Sequence, residues 1–175
     1  MQTVPQDPSE RFFAFLTALQ LSALNEQFLR PLKERRAEPR PAKSSGSHAQ
    51  RAPQDRTILV VDDSPFERTV IRSAVEGLTP FRVCGEASDG AEGIKKALEL
   101  KPDLIIMDLA MPQMTGAEAA MVLRNALPKV PIVLFTLYAE QLRGAISPSF
   151  GVTMILSKAD GLAPLLECLE TLLED

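Results

Sequence analysis

From residue 56 onward, short apolar runs alternate with amphipathic stretches in a regular order. The runs read as strands at 57–61, 81–87, 103–107, 131–135 and 152–156. The stretches between them read as helices at about 65–77, 90–99, 115–126, 139–146 and 160–173. Ser64-Pro65, Asp89-Gly90 and Thr115-Gly116 mark helix starts, and Gly77, Pro102 and Pro128 mark stops. The strands are hydrophobic throughout rather than alternating, which is the pattern of strands buried on both faces. Five βα units joined by right-handed crossovers predict an α/β fold, a five-stranded parallel sheet with helices on both faces.

The segment before this unit has a different character. Residues 7–32 predict a helix, with Asp7 as N-cap, Pro8 in the first turn and Glu10 three residues on. It carries two apolar stripes: Phe12, Phe15, Leu16, Leu19 and Ala23 on one side, and Leu21, Leu24, Phe28 and Leu32 on nearly the opposite one. Two stripes call for more than one shallow contact, whether with the following domain, a second copy or another protein. From Ala37 to Asp55 the chain is rich in Pro and Ser and scattered with basic residues, as a flexible linker would be. The expected organisation is an N-terminal helix over 1–36, a linker over 37–55 and a globular domain over 56–175.

Composition narrows the function classes. The 175 residues are 45% hydrophobic and 24% charged, and no apolar run approaches the length of a membrane span. Asp7 and Glu10 stand where a secretory signal would be basic, so a cytoplasmic protein without membrane contact is expected. Charge is uneven: residues 1–55 hold eight Lys+Arg against six Asp+Glu, and 56–175 hold eleven against seventeen. The basic cluster lacks interleaved aromatics, which favours a solvated linker over a nucleic-acid site. Cys84 and Cys168, in no metal-ligand spacing, read as reduced core thiols. With His48 as the single histidine, a His-based triad or histidine metal site has almost nothing to work with.

The chemistry sits where the strands end. Asp62 and Asp63 close Ile58-Leu59-Val60-Val61, and Asp108 closes Leu104-Ile105-Ile106-Met107. In a parallel sheet these ends share one rim, so the three acids are expected to converge. Like charges that close repel, and an oxygen-seeking divalent cation such as Mg2+ suits the donor set. Thr136 after Ile132-Val133-Leu134-Phe135, and Lys158 after Ile155-Leu156-Ser157, add a hydroxyl donor and an ammonium to the same rim. Carboxylate, cation, hydroxyl and ammonium together make a site for a transferred phosphoryl group. Any one of these residues alone would more often be a helix cap or a solvated charge; their joint occurrence at strand ends carries the reading.

VVDDS at 60–64, DLAMPQMTG at 108–116, FT at 135–136 and SK at 157–158 closely resemble the receiver domain of bacterial two-component response regulators, over about 56–175. The resemblance implies a flavodoxin-like, CheY-like fold. It implies that Asp108 is the phosphoacceptor, that Asp63, Asp108 and the backbone carbonyl of Ala110 bind Mg2+ directly, and that Asp62 acts mainly through metal-bound water. Thr136 and Lys158 would each engage a phosphoryl oxygen. The spacings between Asp108, Thr136 and Lys158, with the LSKAD ending, are most similar to receivers of the class that often carries a LuxR-type DNA-binding domain. The sequence ends after the fifth expected helix, so no DNA-binding domain is expected. At the position where the family often has a switching aromatic stands Ile155, and Leu137 is larger than the alanine common after the threonine.

The resulting expectation is a single-receiver regulator that takes its phosphoryl group from a sensor histidine kinase or phosphotransfer protein and signals by contact with an output protein. It would catalyse its own phosphotransfer and dephosphorylation without turning over an external substrate, and could work as a homodimer. The alternative is a phosphorylation-independent adaptor that binds its partner through the N-terminal helix. A metal-dependent phosphohydrolase ranks third, for want of a cap or substrate domain.

Overall fold

The computed structural model describes residues 55–142 and 151–173. The helix expected over 7–32, the linker before Asp55 and the end of the helix expected at 139–146 lie outside them. The described elements follow in βα order: β1 Thr57–Val61, α1 Pro65–Leu78, β2 Arg82–Ala87, α2 Gly90–Leu100, β3 Leu104–Met107, α3 Gly116–Ala126, β4 Ile132–Thr136, α4 Ala139–Leu142, β5 Met154–Ser157, a 3-10 turn Lys158–Asp160, and α5 Ala163–Leu173. All strands are parallel, in the order β2-β1-β3-β4-β5. This is the flavodoxin-like order, in which the direction of winding reverses between β1 and β3 and leaves a crevice at their C-terminal ends.

The unbroken apolar strands divide into two cores because successive side chains leave the sheet on opposite faces. Leu59, Val61, Ile105, Met107, Ile132 and Leu134 pack against Ile94 and Ala97 of α2 and the Ala-rich face of α3. Ile58, Val60, Leu104, Ile106, Val133 and Phe135 pack against Ile71 and Val75 of α1 and Leu165 and Leu169 of α5. Rigid packing on both sides fixes where each strand ends, and so fixes the rim.

Local chemistry sets the boundaries. Ser64 caps α1 by accepting from Glu67 N, and Pro65 occupies the first turn. Asp89 caps α2 in the same way, and Thr115 and Glu118 form a reciprocal capping box on α3. Most elements differ from the sequence reading by one or two residues at an end, β5 running over Met154–Ser157 instead of 152–156, and three of the differences have a clear local cause. Gly77 does not stop α1; Thr79 does, its hydroxyl donating to the Val75 carbonyl at 2.7 Å. The last helix begins at Ala163 rather than 160, because Gly161, at φ 77°, closes the 3-10 turn and separates it from α5. Thr136 belongs to β4 itself, paired with Ser157, instead of following the strand. Cys84 is half-buried rather than a core residue. Ile58 pairs with Val83 and Leu59 with Gly85, so Cys84 is the extra residue of a bulge on an edge strand, its thiol donating to the Ile58 carbonyl at 3.4 Å. Cys168 is buried, as expected.

Candidate phosphoacceptor site

Hydrogen bonding continues one residue beyond β1 and β3. Asp62 N donates to the Ala87 carbonyl at the end of β2 (3.0 Å), and Asp108 N donates to the Val61 carbonyl (2.8 Å). Both acids are therefore held by backbone at the same level of the rim. The segment after Asp108 folds back on itself, with Gly116 N donating to the Leu109 carbonyl at 3.0 Å. A β-carbon at Gly116 would lie 2.0 Å from the Asp108 carbonyl oxygen, so only glycine allows α3 to start this close to Asp108.

Lys158 Nζ donates to Asp62 Oδ2 at 2.6 Å and lies 3.5 Å from Asp108 Oδ1. The second oxygen of each acid takes a backbone donor: Ser64 N on Asp62 Oδ1 and Ala110 N on Asp108 Oδ2, both at 2.9 Å. Asp62 is 1% exposed and Asp108 6%. Burial pushes the Asp108 carboxyl above its usual value; Lys158 opposes the shift, the Asp62 charge adds to it, and bonds from Ala110 N and the Thr136 hydroxyl counter it without cancelling it. For Lys158 burial alone would lower the ammonium's pKa, but the charges of Asp108 and Asp62 outweigh burial and the net shift is upward. Thr136 is fully buried, and its Oγ1 accepts from Tyr138 N at 3.3 Å, which leaves its own proton to donate.

These groups open onto a cavity of about 560 Å³ lined by Asp62, Asp63, Asp108, Ala110 and Lys158, with Leu137 and Tyr138 on the β4 side. Asp62, Asp108, Thr136 and Lys158 thus meet at one place. Asp63 differs: it is exposed at the cavity wall, and among the described residues no three His, Cys, Asp or Glu side chains cluster at metal-binding spacing. All three acids line the one cavity, but only Asp62 and Asp108 close on Lys158, with Asp63 beside them. Ser64 rather than Asp63 caps α1, and the Asp63 side chain is left at the cavity wall. Ile155 is half-buried against the α2–α3 core, and Leu137 is 66% exposed at the cavity mouth. Sequence reasoning missed Tyr138, which was readable as the single tyrosine two residues after Thr136. It also missed Arg68, whose Nη1 donates to the Asp62 carbonyl at 2.7 Å. An arginine on the fourth position of a helix carries no signal of that contact.

The donor set suits Mg2+, which takes one or two carboxylates and keeps several waters. Asp62 is committed to Lys158 and Ser64 N, whereas Asp63, Asp108 and Ala110 face the same cavity, so a direct role for Asp63 and a water-mediated one for Asp62 fit this arrangement.

The family model of the response regulator receiver domain matches residues 58–170. A protein-glutamate methylesterase/protein-glutamine glutaminase of Thermotoga maritima is 41% identical over 83 residues, which are 47% of this chain and 24% of that protein. The response regulator GacA of Pseudomonas viridiflava is 34% identical over 112 residues, 64% of this chain and 52% of the relative. The chain thus spans between a quarter and about half of the length of these relatives. Among solved structures, the response regulator TrrA of Thermotoga maritima, in complex with Mg2+ and BeF, superposes with a TM-score of 0.62 at 29% identity, over 67% of this chain and 99% of that one. No helix among the described residues is long and apolar enough to cross a membrane. With the sheet order, the paired acids at its rim and a match over most of the chain in agreement, this protein belongs to the response regulator receiver domain family.

Proposed function

We propose that Asp108 accepts a phosphoryl group from a phosphohistidine on a sensor histidine kinase or phosphotransfer protein, and that the chain works as a single-receiver regulator. The observation that carries this reading is the placement of Asp108: a buried carboxylate with one oxygen bonded to Ala110 N and the other 3.5 Å from an ammonium, opening onto a cavity. An Asp108 oxygen forms a bond to phosphorus as the phosphorus–nitrogen bond breaks, and the imidazole leaves with the electron pair and takes a proton from solvent. Lys158 and the Thr136 hydroxyl neutralise and bond the oxygens of the transferred group. Asp63, Asp108 and the Ala110 carbonyl would hold Mg2+, with Asp62 acting through water, and the ion would supply charge neutralisation for the transfer. Water attack on the acyl phosphate returns inorganic phosphate and the free carboxylate, so no external substrate is turned over.

Output follows from the added charge. Drawing the Thr136 hydroxyl to the phosphoryl group breaks its bond from Tyr138 N and releases the turn that carries Leu137 and Tyr138 to an output protein. Ile155 has no ring to swing, so the threonine half of the family's switch works alone here.

Incubation with acetyl phosphate and Mg2+ tests the reading. Intact mass should rise by one phosphoryl group in the wild type and stay unchanged in Asp108→Asn; an unlabelled wild type would instead favour an adaptor independent of phosphorylation. The same variant has a second expected outcome. Because the folded-state pKa of Asp108 is raised, its contribution to stability is complete below the unfolded pKa and is lost as pH rises through the folded one. At neutral pH the charge is therefore a burden, and Asp108→Asn should raise the thermal midpoint by a few degrees, an advantage that fades toward pH 4. Leu137 overhangs the cavity, and Leu137→Ala should speed both labelling and decay severalfold; unchanged rates would show that it does not screen the site.

A further inference from the structure

Arg68 stands behind the acid pair rather than in the cavity. Its Nη1 donates to the backbone carbonyl of Asp62 at 2.7 Å, and its Nε donates to Glu86 Oε2 at 3.2 Å. Glu86 is itself fixed. Its other oxygen takes Arg72 Nε at 2.6 Å, its backbone carbonyl takes Lys96 Nζ, and its place in β2 is set by pairing with Val60. The hydrogen bond from Arg72 is the main cause that holds the Glu86 carboxyl below its ordinary value, with Arg68 contributing.

The carbonyl that Arg68 grips belongs to the peptide joining Asp62 to Asp63. Asp62 is already held at its N–H by Ala87, at Oδ1 by Ser64 N and at Oδ2 by Lys158. Asp63 has no such set of anchors and is exposed, so the plane of the preceding peptide sets where its carboxylate starts. We propose that Arg68 is a positioning residue for the Mg2+ rim: by bridging Glu86 to the Asp62 carbonyl, it fixes the Asp62–Asp63 peptide and aims Asp63 at the cavity. The guanidinium does this because its planar fork presents two donors in fixed directions. Lysine has one ammonium on a flexible stem and holds only one of the two acceptors firmly. Residues of this kind behind metal ligands typically change metal affinity by about 10- to 100-fold when removed.

This inference rests on the reading of the rim as an Mg2+-dependent phosphoacceptor site, and its test separates the two. The chain has one tyrosine and no tryptophan, and Tyr138 lines the cavity, so tyrosine emission is a local probe of Mg2+ binding. Mg2+ alone is titrated into the full chain and into its Arg68→Ala, Arg68→Lys and Glu86→Gln variants. Labelling by acetyl phosphate is then measured across Mg2+ concentrations, and thermal midpoints are measured without metal. Arg68→Ala should weaken Mg2+ binding about tenfold and raise the Mg2+ concentration for half-maximal labelling in parallel, with the labelling rate at saturating Mg2+ within about twofold of wild type. Arg68→Lys should recover most of the thermal midpoint but little of the affinity, and Glu86→Gln should fall between. If wild type labels in an Mg2+-dependent way and Arg68→Ala binds Mg2+ as tightly, the positioning role is overturned while the parent reading stands. Loss of thermal midpoint with unchanged affinity would likewise overturn it, leaving a structural ion pair. A wild type that neither binds Mg2+ nor labels would overturn the parent reading, and this one with it.

Discussion

Replacing Lys158 with methionine is expected to cost the domain about 3 kcal/mol at neutral pH and to reduce labelling by about 100-fold or more. The side chain is 13% exposed, so solvent screens little of its interaction with Asp62 at 2.6 Å and Asp108 at 3.5 Å. Methionine keeps the bulk and removes the charge, leaving two buried carboxylates facing each other. Bonds from Ser64 N and Ala110 N remain, which places the cost at the lower end of the range for breaking a buried pair. The deficit should shrink as pH falls, because Asp108, whose pKa is already raised, takes up a proton and ends the repulsion. In the wild type the raised Lys158 pKa acts with the same sign but in a far more alkaline window: its stabilisation is complete below the unfolded value near 10.5 and is lost only as pH rises through the folded one. Urea unfolding at pH 5 and pH 7 checks the shrinking deficit, and wild-type unfolding above pH 10 checks the lysine window. Equal deficits at the two pH values would show that charge is not the cause.

Gly116→Ala should have an effect of similar size from a purely steric source. Alanine at a helix start is worth at most about 1 kcal/mol over glycine. Against that gain, the new β-carbon meets the Asp108 carbonyl oxygen at 2.0 Å, and Asp108 cannot yield because its N–H is tied to Val61. The clash wins. We expect a net loss of about 3 kcal/mol, read as a drop in the urea midpoint, together with impaired labelling because α3 can start only by displacing the phosphoacceptor. A variant of wild-type stability would show that the loop between Asp108 and Gly116 accommodates the methyl group without strain.

The positions of Asp62, Asp108, Thr136 and Lys158 were readable because a parallel sheet buried on both faces turns each long apolar run into a ruler. The first one or two polar residues after the run fall at the rim, and all rims coincide. Thr136 and Ser157 show the limit of that ruler, since pairing between β4 and β5 extends one residue past the last apolar side chain. The pairing of Lys158 with Asp62 in preference to Asp108 was not readable, because a distance difference between 2.6 and 3.5 Å depends on how the 3-10 turn directs the lysine. The bulge at Cys84 was hidden for a similar reason: an extra residue on an edge strand leaves the apolar pattern intact while moving one side chain off the core. Gly161, by contrast, was visible in the sequence as a helix breaker between Asp160 and Leu162, and treating 160–173 as one helix overlooked it.

The central claim is that phosphorus becomes bonded to the carboxylate of Asp108. The most direct measurement is to label the protein with acetyl phosphate and Mg2+, reduce the acyl phosphate with borohydride, and map the product by peptide mass spectrometry. Conversion of residue 108 to homoserine, only in labelled protein, is the expected result. A phosphoryl group found instead on another side chain, surviving borohydride and acid, would contradict the account.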